Sequence, residues 1–176
     1  MIMNTRLLLI IVFCIVGVSA HSQSNFAIEF GPVWQRAKTY TIKMAEAMPE
    51  KFYQYKPTKD AKTFEEELTH ITNNIGFLQY YVTGVKANFL DGFKKTGKSK
   101  SETLSMLNKA FDAITQQIEK LQDKEAKHSV KFFAKNVAMT KKGIYYLIRD
   151  HLTHHRAQLV VYLRLKGIKP PRYVGW

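Results

Sequence analysis

His151 and His155 stand four residues apart in the stretch Lys141 to Pro171, KKGIYYLIRDHLTHHRAQLVVYLRLKGIKPP. This stretch is predicted to be one long helix ending at Gly167, because Pro170 and Pro171 forbid continuation. Four residues of helix turn through about 400° and rise roughly 6 Å, so the two imidazoles share a face. That spacing lets two nitrogens reach one metal ion. An H-x-x-x-H pair also occurs on solvated faces, so its register decides. Here the pair runs in line with Ile144, Leu147, Ile148, Leu159, Tyr162 and Leu163. Two imidazoles on an apolar face are costly to bury unless something binds both. A metal ion does so, and imidazole suits zinc, nickel, copper or iron.

The other titratable groups are weaker candidates. His154 is read as flanking the pair. His70 lies at the boundary of another apolar stripe, where the ordinary reading is a core-edge histidine bonded to a carbonyl. His128 and His21 are not ligand candidates. Asp150 could accept an imidazole N–H or pair with a cation at the surface. Arg149, Arg156 and Arg164 could orient an anionic substrate, although helix-surface charge is their commoner role. No separate general base stands out. If the site is catalytic, Trp34, Phe77, Tyr80 or Tyr81 would line a pocket over the metal; otherwise they are core.

The elements that must position these residues are helices. Asn25 to Met48 shows apolar spacings of three and four, from Ile28 and Phe30 to Met44 and Ala45. Gly31-Pro32 interrupts its first part and offers a start for the helix proper. Thr63 with Glu66 forms a capping-box pattern opening a second helix to about Val85, with Phe64, Leu68, Ile71, Ile75, Leu78 and Val82 on one face. Ser101 and Glu102 open a third, reaching about Leu121. Gln122 to Thr140 carries no clear pattern beyond a short extended piece and a cap at Thr140. No hairpin turn, glycine-rich phosphate loop or repeat is expected. Four long helices joined by loops predict an all-α, antiparallel four-helix bundle.

Arg6, the apolar run Leu7 to Val18 and Val18-Ser19-Ala20 form the three-part pattern of a signal peptide. The run is shorter than the roughly 20 residues a membrane span needs. The expectation is therefore a signal peptide over 1–20, one domain over 21–176, and an exported product, periplasmic or secreted, with no membrane attachment after cleavage. The only cysteine, Cys14, leaves with the signal, which excludes a cysteine nucleophile and thiolate ligands from the mature chain. The net charge of +13 could favour nucleic acid. The lysines are dispersed, however, as in Lys56, Lys59 and Lys62, or Lys141 and Lys142, and no arginine-rich face has interleaved aromatics. A solvated surface is expected and no nucleic-acid partner.

The run His151, His154, His155, Arg156, Gln158, Tyr162, Leu163, Arg164, Gly167 and Pro170-Pro171 closely resembles the C-terminal signature of DinB/YfiT-like proteins. The stretch MPEKFYQYKPTKDAKTFEEELTHI resembles that family's passage from first to second helix, ending at His70. Ala157 departs from the glycine often found there, and the signal peptide from the many cytoplasmic relatives. The resemblance implies a four-helix bundle holding a divalent metal, zinc or nickel foremost, through His70, His151 and His155. Three protein ligands leave open positions, as in catalytic sites. It also implies a metal-dependent hydrolase acting on a small molecule. The alternatives are a non-catalytic, stress-associated metal-binding bundle and a metal-dependent thiol S-transferase. A homodimer is a further partner state open to such bundles.

Overall fold

The computed structural model describes residues 23–87, 91–92, 97–133 and 137–174. The expected signal peptide lies outside the described residues. Four long helices, α1 (Asn25–Ala47), α2 (Phe64–Thr83), α3 (Lys100–Lys120) and α5 (Lys141–Leu165), form a bundle. A single turn, α4 (Asp123–Ala126), and two short strands, β1 (Ser129–Lys131) and β2 (Ala138–Thr140), lie between α3 and α5. None of the described helices is long and apolar enough to cross a membrane.

Side-chain contacts fix the helix directions. Lys38 pairs with Asp112, and Lys100 Nζ donates to the Glu46 and Met48 carbonyls, so α1 and α3 run antiparallel. Glu67 meets His155 and the Lys62 carbonyl meets Tyr162, so α2 and α5 also run antiparallel. The two pairs lie side by side with α2 parallel to α3, as Gln79–Gln117 and Glu65–Lys98 show. Phe26–Tyr145 and Tyr40–Arg156 give the parallel α1–α5 contact. The core fills the middle with Trp34, Phe64, Phe111, Tyr145, Leu68 and Ile148.

Helix starts follow local chemistry. Thr63 Oγ1 accepts from Glu66 N at 3.0 Å while Glu66 Oε2 accepts from Thr63 N at 2.7 Å, the expected capping box. Thr140 accepts from Gly143 N, as expected. The third helix starts one step earlier than expected, because Ser99 and Glu102 form a second capping box. At the far end of α5 the N–H of Ile168 reaches the Leu163 carbonyl at 2.9 Å. Gly167 sits at φ 71° to allow that reversal.

Two expectations are corrected. Helix α1 starts at Asn25 and runs through Pro32. Ser24 caps it, and the Asp123 carboxylate accepts from the backbone N–H groups of Asn25 and Phe26. Phe26, Phe30 and Trp34 are buried at successive turns, at about 1.5–3 kcal/mol each. Together they outweigh an interior proline's cost of about 3 kcal/mol. Ile28 is correspondingly turned out to solvent, 56% exposed, rather than inward. The second correction concerns Gln122 to Thr140, where β1 and β2 pair antiparallel with Val130 opposite Met139. Three-residue strands are too short to show an alternating pattern.

Candidate metal centre

The α2–α5 pair builds the site. His70 comes from the N-terminal half of α2, while His151 and His155 come from successive turns of α5 facing it. The ring centroids are 5.1 Å (His70–His151), 4.5 Å (His70–His155) and 4.4 Å (His151–His155) apart. One ring nitrogen from each lies within 4.8 Å of the others, the arrangement that holds one ion. Among the described residues these three form the His, Cys, Asp or Glu group able to do so.

Protonation favours ligation. Burial pushes His151 down to about 4, and the neighbouring His155 and His70 push the same way. Burial also brings His155 to about 4, helped by His70, His154 and Lys62. His70 is lowered by burial and by Lys62, against the opposing pull of Glu67. All three rings are thus neutral at pH 7, as a metal requires.

The residue that sequence reasoning missed is Glu67. It is 3% exposed, and its Oε2 lies 2.7 Å from His155 Nδ1. The neutral ring donates its Nδ1–H to that carboxylate, which leaves Nε2 with its lone pair free. Burial raises the Glu67 carboxyl, against the pull of Lys62 and His70. The available signal was Glu67-x-x-His70, three residues apart on one helix face. Asp150, nominated for this role, instead accepts from its neighbour Arg149.

The remaining candidates separate. His154 is exposed and accepts from the Gln158 amide at 2.8 Å, beside the centre but outside the group. His128 is exposed between α4 and β1. Arg149 and Arg156 turn toward α1, away from the histidines, so they do not orient a substrate at this centre. Lys62, just before the α2 cap, registers its charge on Glu67, His70 and His155, as does the His154 ring. Trp34 is a core residue whose Nε1–H donates to the Phe111 carbonyl. Phe77 and Tyr81 lie on the helix face of His70, and they contact Phe133 and Phe132 at 5.9 and 5.0 Å. Asn74, one turn from His70, keeps a buried Oδ1 without a hydrogen-bond partner among the described residues.

Three imidazoles gathered between facing helices, one backed by a carboxylate, define a helical-bundle protein with a centre suited to a divalent ion. A model of the DinB family matches residues 22–175, and the chain belongs to that family. Its fold resembles the crystal structure of a DinB-like protein from Bacillus subtilis, with a TM-score of 0.68 and 17% identity over 82% of this chain and 96% of that one. A DinB-like protein from Bacillus cereus gives a TM-score of 0.69 and 20% identity over 82% and 95% of the two chains. No curated protein matches the sequence.

Proposed function

We propose that the protein binds a divalent metal, zinc or nickel first, through His70, His151 and His155, and acts as a hydrolase on a small molecule. The observation that carries this reading is the uneven burial of the triad. His155 is buried and anchored by Glu67, whereas His70 and His151 are only half-buried. Three neutral nitrogens on one side thus leave the other side approachable. A divalent ion there would polarise a substrate carbonyl or phosphoryl oxygen and acidify water.

The chain's own residues supply position and surroundings. Glu67 fixes the ring orientation and tautomer of His155. Lys62 favours an anionic or oxygen-rich substrate group. Among the described residues Asn74 Oδ1 has no hydrogen-bond partner, and it offers an acceptor to a substrate N–H or O–H. One observation favours the non-catalytic alternative: Glu67, the carboxylate at the centre, is already bonded to His155 and so is not a free general base.

Elemental analysis of the purified protein after incubation with zinc or nickel tests the metal. About one equivalent is expected, and less than about a tenth would reject it. Ester, amide and thiol-transfer substrates, screened with the loaded protein, test the chemistry. Ester or amide turnover supports the hydrolase, thiol transfer supports the transferase, and silence across all three supports the non-catalytic bundle. Export belongs to the same proposal: a periplasmic or secreted product whose N-terminal sequence begins near His21 is expected. A full-length cytoplasmic product would refute it.

A further inference from the structure

Helix α5 carries a second polar stripe. Arg149, Thr153 and Arg156 recur at spacings of four and three, so they share a face. His151 and His155 lie roughly 150° around the helix from it. The stripe faces α1, where Arg36 and Tyr40 are one turn apart, and Tyr173 of the C-terminal tail stands against Tyr40 at 5.8 Å. Between them lies a cavity of about 210 Å³.

Among the described residues, three arginines and no acidic residue line this cavity. Among the described residues neither Arg36 nor Arg156 has an ion pair; Arg149 is bonded to Asp150, whose side chain is 63% exposed. Arg156 is half-buried, with its guanidinium 5.8 Å from the Tyr40 ring centre and an N–H donated to Thr153. Burial holds that guanidinium below its usual value. Like charges gathered in a partly dry cleft repel one another, and an anion relieves both the repulsion and the lost hydration. Guanidinium forks match carboxylate and phosphate oxygens in paired hydrogen bonds.

A second cavity of about 340 Å³ shares Tyr40, Thr153, Arg156 and Tyr173 with the first and continues along Ala157, Val160 and Val161, with Arg164 at its border. The polar end therefore opens onto a mostly apolar one. We infer that the α1–α5 cleft is a binding site for a small amphiphile, its carboxylate or phosphate head on Arg36, Arg149 and Arg156 and its short apolar chain along Val160 and Val161. This site is separate from the histidine centre and does not depend on the metal reading.

Isothermal titration of the purified protein with octanoate, octyl phosphate, acetate and octanol tests it. One equivalent of octanoate or octyl phosphate is expected to bind at least about tenfold more tightly than acetate or octanol, and the tighter of the two identifies the head group. Loss of one charge-assisted contact corresponds to about tenfold or more, so Arg36→Gln and Arg156→Gln should each weaken binding by that factor. His151→Ala should bind octanoate as wild type does. Among the described residues Arg36 makes no ion pair, so Arg36→Gln should keep wild-type circular dichroism and carry the test if Arg156→Gln fails to fold. The inference is overturned by no binding at millimolar octanoate and octyl phosphate, by octanol binding equally well, by insensitivity to Arg36→Gln, or by loss of binding in His151→Ala.

Discussion

His155 is the pivot of the centre, because one ring nitrogen is held by Glu67 and the other faces His70 and His151. His155→Ala should abolish stoichiometric zinc and remove the rise in melting temperature that zinc gives, whereas His154→Ala should leave both intact. Elemental analysis and thermal melts decide between them, and metal loss in His154→Ala instead would mean that the ligands are wrongly assigned. Glu67→Gln should weaken zinc by about 10–100-fold in chelator competition, the usual effect of losing a ligand's supporting carboxylate. The pH dependence follows from the lowered histidines. His151 and His155 titrate near 4 when folded against 6.5 when unfolded, so the unfolded chain takes up protons first as pH falls. Their contribution is present above about pH 6.5 and is lost on the way down to 4. The melting temperature of chelator-treated protein should drop across that window, with a shallower slope in His151→Ala. The α5 pair was legible because periodicity within one helix is local information. His70 was expected as a ligand only through family resemblance, and Glu67 stayed hidden because its partner depends on which turn of α2 faces which turn of α5. The arginines sat beside the histidines in the motif, yet 100° per residue carries them to the opposite face.

At the scale of elements, the parallel neighbours α2 and α3 are joined by a long crossover that ends in a buried ion pair. Lys98 Nζ lies 3.2 Å from Glu65 Oε1, with side chains 2% and 1% exposed. Glu65 Oε1 also accepts from Thr69. The sequence suggested a solvated basic surface, and Lys98 departs from it because the start of α3 packs onto the start of α2. Lys98→Ala would strand a buried carboxylate and should cost about 3–5 kcal/mol. Loss of the α2 cap in Thr63→Ala should cost about 1 kcal/mol. Urea unfolding distinguishes the two, and equal losses would mean that the pair is hydrated. Capping boxes and apolar stripes made the four long helices readable. The β1–β2 pair was not, because three-residue strands show no alternation, and neither was the passage of α1 through Pro32, which rests on contacts from distant segments, Asp123 among them.

For the molecule as a whole, the three histidines proposed as ligands all come from one antiparallel pair, and a metal there would clamp α2 to α5. At free metal about a thousandfold above its dissociation constant, such binding adds about 4 kcal/mol to stability. The same arrangement bears on how the chain reaches its fold. Glu67 and His155 are 88 residues apart in sequence, and Lys62 and Tyr162 are 100 apart. Closing segments of that length costs entropy before any contact returns it, so α2 and α5 should meet late in folding. A metal cannot then act as a template for collapse; it fastens what has already closed. In stopped-flow experiments zinc should slow the unfolding limb and leave the refolding limb unchanged, because contacts absent from the transition state act on unfolding alone. Faster refolding with zinc would place the α2–α5 meeting early. With a metal bound, the histidine centre would in this sense be a latch on the kinetic lifetime of the native chain, set by how far apart in sequence its three histidines lie.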